Sequence, residues 1–145
     1  MAKNSQQEAL LTEQRIHQAI IDIFMEQGWQ AVTYGSLAKH TGLSRGGVQR
    51  IVPNKEAMLN AFQGQIFQSV AGRLDFTTSA ALFKSWNEAL DNAQFRHCIK
   101  YLITAVNADC GGKQKAKAGL DKLADMAGKD NMHSLLGIAI YRLLD

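Results

Sequence analysis

Arg45, Gln49 and Arg50 fall within one short stretch, with Lys39 before it and Lys55 after it. No Asp or Glu occurs between Gln27 and Lys55, although the rest of the chain mixes both signs around a net charge of +3. A guanidinium fork matches the paired acceptors of a phosphate or of guanine, and a Gln amide can bond a phosphate or a base edge. A cationic stretch without carboxylates therefore suits contact with a polyanion such as duplex DNA. The other reading is a solvated helix pair used for packing or protein contact.

The elements that must carry these side chains are legible around them. Thr33 can cap a helix that ends near His40, and Gly42 can take a positive φ just after it. Ser44 can cap a second helix that stops before Pro53, which has no N–H to donate and restricts Val52. Leu37, Ala38, Val48 and Ile51 are the apolar and small positions that pack the pair. This pattern predicts a helix-turn-helix whose second helix enters the major groove. Arg45 is then either the base reader or a phosphate contact, and Arg50 a phosphate contact or a solvated charge. Gly46 and Gly47 each weaken a helix by ~1 kcal/mol relative to Ala. They either let the helix sit deep in the groove or loosen its first turn. Thr33 and Tyr34 stand at the start of the preceding helix, where free N–H groups favour a phosphate. Tyr34 either donates to that phosphate or packs on Trp29. Lys3 can reach a minor groove from a tail, or that tail is simply polar.

Helical spacing extends along the whole chain, and no segment has strand period. Ile16, Ala19, Ile20, Ile23 and Phe24 give a first helix from about Leu10 to Gln27, stopped by Gly28, with Trp29 as a core plug and residues 1–8 as a polar tail. Asn54 caps a long helix reaching about Leu74, lined by Met58, Leu59, Phe62, Ile66, Val70 and Leu74. Further helices carry Leu82, Phe83, Trp86 and Leu90, then Phe95, Cys98, Ile99, Leu102 and Val106. Asp109-Cys-Gly-Gly112 reads as a break, after which a helix under the basic run Lys113–Lys117 ends at Gly128. Asp130 or Asn131 caps the last. The expectation is an all-α chain of about eight helices. Residues 1–54 form a three-helix DNA-binding unit, and residues 55–145 a small helical bundle for dimerisation and regulation.

The last helix holds Leu135, Leu136, Ile138, Ile140, Leu143 and Leu144, apolar over most of its circumference, so it is buried on several sides. Leu135, Leu136, Ile140 and Leu143 are the candidate dimer contacts; the alternative is a central helix of one monomer. The aromatic residues Trp86, Phe95 and Tyr101 are the candidate inducer contacts. His17, His40, His97 and His133 are scattered, so no metal site is expected. Cys98 and Cys110 lack metal spacing and are read as reduced thiols, with Cys110 a candidate redox sensor. No phosphate loop, carboxylate pair or serine elbow is present, so neither an enzyme nor a cofactor is expected. The N-terminus lacks an apolar signal core and no run is long enough to span a membrane, which predicts a cytoplasmic protein.

The stretch from Arg15 to about Phe62 resembles the tetracycline-repressor family of bacterial transcription regulators. Ile16, Phe24, Glu26 and Gly28 match its first helix, and Thr33, Leu37, Ala38, Gly42, Leu43, Ser44 and Gly46 its helix-turn-helix. Pro53, Lys55, Glu56 and Leu59 match the start of its fourth helix. The resemblance implies an all-helical homodimer that binds a palindromic operator, with Lys55 on a phosphate and a C-terminal domain that often takes an inducer. Gln49 stands where the family usually has a Tyr, and Ile51 and Val52 where it has an aromatic or His and a Phe. The C-terminal region is also shorter than usual for the family. Together these readings predict a dimeric DNA-binding repressor. The alternative is a helical interaction module that keeps the fold without recognising DNA.

Overall fold

Ala2–Gln27 form one long helix, α1, in a computed structural model that describes residues 2–61, 63–107 and 110–145, and the side chains of these except 2–4, 63, 110 and 111. Ile16, Ala19, Ile20, Ile23 and Phe24 recur at helical spacing, and all are buried. The helix starts eight residues earlier than expected. Gln6, Gln7 and Ala9 are good helix formers with no breaker among them, so the pattern of polar residues is an exposed turn rather than a tail. Lys3 therefore sits on a helix, and its side chain lies outside the described atoms. Gly28, at φ 92°, ends α1 as expected, and its N–H donates to the Phe24 carbonyl at 2.8 Å.

Trp29–Ala31 make a 3-10 turn in which Trp29 is half-buried, not the core plug its size suggested. Next come α2 (Tyr34–Thr41), α3 (Arg45–Ile51) and α4 (Lys55–Asn60). Leu37, Val48, Val52 and Met58 are buried, and α2 packs on both α1 and α3. With α1 these helices make one compact unit, Met1–Phe62. The expected long fourth helix is thus interrupted. A turn at Ala61 follows α4, between the weak helix formers Asn60 and Gly64, and Phe62 lies outside the described residues.

The second unit, Gln63–Asp145, contains α5 (Gln63–Ala71), α6 (Ser79–Ala89), α7 (Ala93–Thr104), α8 (Cys110–Ala127) and α9 (Lys129–Leu144). The boundary between units falls after α4 rather than after residue 54. Thr78 caps α6 through the Ala81 N–H at 3.0 Å, and Asn92 caps α7 through Phe95 N–H at 3.0 Å. Trp86 and Phe95 meet edge-to-face at the centre, with centroids 5.2 Å apart and planes at 88°. Leu82 on α6, Leu90 at its C-cap, Ile99 on α7, Leu123 on α8, and Leu135 and Ala139 on α9 are buried as well. Arg142 of α9 ties back to α6 and its C-terminal turn. It donates to the Asn87 carbonyl at 3.3 Å and pairs with Asp91 at 2.6 Å.

Two further boundaries differ from expectation. Of the expected break at Asp109–Gly112, residues 110–112 already belong to α8, and Asp109 lies outside the described residues. α7 tightens into a 3-10 turn at Ala105–Asn107. Gly128, at φ 91°, is the cap position of α9, so Asp130 and Asn131 lie inside its first turn. Among the described residues there are nine α-helices and no strand, an all-α fold. None of these helices is long and apolar enough to cross a membrane.

Leu135 was expected at a dimer interface, but it is fully buried within the single subunit. Removing its side chain must leave a cavity. Leu135→Ala is expected to lower unfolding stability by about 2–5 kcal/mol in urea titration, the range for a core leucine.

Candidate nucleic-acid interface

Four capped turns shape the cationic face. The Thr33 hydroxyl accepts from Ser36 N–H at 3.0 Å, and Ser36 Oγ accepts from Thr33 N–H at 3.0 Å, a complete capping box. Gly42, at φ 77°, closes α2 by donating to the Ala38 carbonyl at 2.9 Å. Ser44 Oγ accepts from Gly47 N–H at 3.0 Å, and the Asn54 side chain accepts from Ala57 N–H at 2.8 Å. Thr33, Ser44 and Asn54 thus spend an acceptor on the backbone while remaining exposed. Arg15 adds a longer brace: from α1 it donates to the Thr41 carbonyl at 2.5 Å, at the last turn of α2. The two residues lie 26 apart in sequence, so no local spacing signals the bond.

On α3, Arg45, Gly46, Gln49 and Arg50 are exposed, Gly47 and Ile51 are half-buried, and Val48 is buried. Arg45 lies back against α2: a methyl placed on Gly35 would come within 3.0 Å of its Nη2. Gly35 was not singled out from sequence, since nothing local demands a glycine there. A methyl on Gly46 would meet no atom, and one on Gly47 would meet Ser44 Oγ at 3.1 Å. Neither glycine has positive φ, so backbone conformation requires neither. Among the described residues, Lys39, Arg45 and Arg50 have no carboxylate within ion-pair distance. The nearby Asp22 on α1 is engaged instead by His40 at 3.6 Å and by the Gln18 amide at 2.9 Å.

Two candidate contacts are partly used inside the unit. Tyr34 offers no free proton: its hydroxyl donates to the Val52 carbonyl at 2.8 Å. Lys55 donates to the Val32 carbonyl at 3.0 Å and sits 4.9 Å from the Trp29 ring centroid. Two of the three ammonium protons of Lys55 remain for other acceptors.

In the C-terminal unit the predicted inducer residues do not converge. Trp86 and Phe95 are consumed by the core, while half-buried Tyr101 borders a separate cleft. On α9, Leu136 and Leu143 are half-buried and Ile140 is 46% exposed. Tyr141 and Leu144, exposed at 79% and 81%, extend that face. Leu144 was discoverable from the four-residue spacing of Leu136, Ile140 and Leu144. Cys98 is buried, and desolvation pushes its thiol up to about 12 despite Arg73, so it stays protonated and unreactive near neutrality. The Cys110 side chain, the candidate redox thiol, lies outside the described atoms.

Residues 63–143 match the family model described as the tetracycline repressor LuxT C-terminal domain. No curated protein matches the chain. The matched segment covers more than half of the chain and nearly all of the second unit.

The Tyr34–Val52 bond joins the start of α2 to the end of α3. Tyr34→Phe keeps the ring and removes only this bond. It is expected to lower stability by about 0.5–1.5 kcal/mol in chemical denaturation, with helical content unchanged.

Proposed function

This chain belongs to the family of the tetracycline repressor LuxT C-terminal domain, and on that premise we propose that it is a DNA-binding transcriptional repressor acting as a homodimer on a palindromic operator. The observation that carries the reading is the exposed face of α2 and α3, where Lys39, Arg45 and Arg50 stand without carboxylate partners among the described residues. Charges left uncompensated in the free protein can be compensated by phosphates. α3 enters the major groove, with Arg45 and Gln49 toward base edges or flanking phosphates. Thr33, Tyr34 and Ser44 at the helix starts, with Arg50 and Lys55, hold the backbone. Gly46 lies open to approach, and Gly47 keeps the Ser44 cap uncrowded. Such a protein works where the chromosome is, in the cytoplasm, and needs no catalytic group.

Dimerisation is proposed through α9. Leu136, Ile140, Tyr141, Leu143 and Leu144 leave an apolar face that a second copy can cover. Pairing two copies supplies the two half-sites of a palindrome. The alternative, an interaction module without DNA recognition, draws on the internal use of the Tyr34 proton and of Lys55.

Selection of genomic fragments by the purified protein is expected to enrich one palindromic sequence. Log K should fall against log salt with a slope of roughly −6 if each subunit neutralises about three or four phosphates. Lys55→Ala should weaken all duplexes alike and make the slope shallower, measured well below its unfolding temperature because Lys55 also braces Val32. Affinity indifferent to salt, or no enrichment, would leave only the interaction module.

Ile140→Asp is expected to keep the helical spectrum of the wild type, since the residue is part-exposed in one subunit. In sedimentation it should shift the protein toward monomer, and operator affinity should fall with it. A variant that stays dimeric would remove α9 from the interface.

A further inference from the structure

A cleft of about 510 Å³ opens in the C-terminal unit, bordered by α5, α7 and α8. That volume lies in the range of small-molecule sites, ~300–1,000 Å³. Its sides combine apolar and aromatic surface, with Phe67 on α5 and Tyr101 and Leu102 on α7. Lys115 and Lys122 of α8 border it, and no Asp or Glu does among the described residues. Lys122 Nζ sits 5.5 Å from the Phe67 ring centroid, placing a cation beside the apolar wall. Among the described residues no carboxylate pairs with Lys122.

Two glycines make the same point independently. Gly64 and Gly119 both border the cleft from within helices, where glycine is less favourable than alanine by ~1 kcal/mol. Neither has positive φ, and a methyl on either would meet no atom within 4 Å. Neither backbone conformation nor packing among the described atoms calls for a glycine at these positions. Both line the cleft, and a side chain at either position has open space around its first carbon.

We propose that this cleft binds a small amphipathic anion, a carboxylate whose apolar tail lies along Phe67, Tyr101 and Leu102 and whose head meets Lys122. The head exchanges water for a charge-assisted contact at the rim, and the tail leaves water for the apolar sides. A neutral or cationic analogue loses the first of these. The site is distinct from the Trp86–Phe95 pair, which is closed core. Its use as the effector site of a repressor rests on the regulator reading above; its occupancy does not.

Calorimetry of the full chain without DNA tests occupancy alone, using octanoate, octanol and octylamine below their aggregation concentrations. Octanoate is expected to bind at least about tenfold more tightly than either analogue, the scale of one hydrogen bond to a charged group. Lys122→Gln should erase that preference. Gly119→Leu should fill the space and abolish binding while the helical spectrum and melting temperature are kept or raised. Equal binding of the three probes would overturn the anion assignment. No binding of octanoate to the wild type, or undiminished binding to folded Gly119→Leu, would overturn the site. Failure on either count leaves the DNA-binding reading untouched, because no DNA is present in the measurement.

Discussion

The helices of the cationic face are too short to stand alone. α2, α3 and α4 span 8, 7 and 6 residues, well below the ~12–15 at which an isolated helix becomes even marginal in water. They persist because each is capped and because Leu37, Val48 and Met58 are buried in a unit that also buries the apolar face of α1. The position of every exposed cation on that face follows from this dependence. Disturbing the α1 stripe would displace Arg45 and Arg50 without touching them.

Polar bonds then lock the packed pieces in place. Arg15, Tyr34 and Lys55 each aim a side-chain donor at a backbone carbonyl of another element, at Thr41, Val52 and Val32. Carbonyls at helix ends and turns have no helical partner, so these bonds satisfy acceptors that would otherwise need water. One consequence is a division within the basic residues. Arg15 and Lys55 spend a donor on the unit's own carbonyls, while Lys39, Arg45 and Arg50 have no ion-pair partner among the described residues. Counting cations in the stretch does not separate the two groups.

The C-terminal unit divides its apolar residues in a similar way. Trp86, Phe95 and Leu135 close the core, whereas Ile140, Tyr141 and Leu144 remain at the surface of α9. One helix thus carries both a core-facing and an outward apolar side. The family match rests on residues 63–143, while the sequence resemblance rests on Arg15 to about Phe62. The two halves of the chain therefore point separately to the same class of regulator.

Sequence alone determined the features whose partners lie within one helical turn. Thr33, Ser44 and Asn54 all cap where their types and spacing indicated, because a cap reaches an N–H three residues along the same chain. The helix ends at Gly28, Gly42 and Gly128 and the buried stripe of α1 were legible for the same local reason. Tertiary structure alone decided the braces, which span 26, 18 and 23 residues for Arg15, Tyr34 and Lys55. It also decided that Leu135 is core, that Trp86 and Phe95 close on each other, and that Gly64 and Gly119 share a cleft with Lys122. Helical periodicity shows which side of a helix is apolar. Whether that side meets its own chain, a cleft or water depends on how the helices pack, and no short-range spacing carries that information.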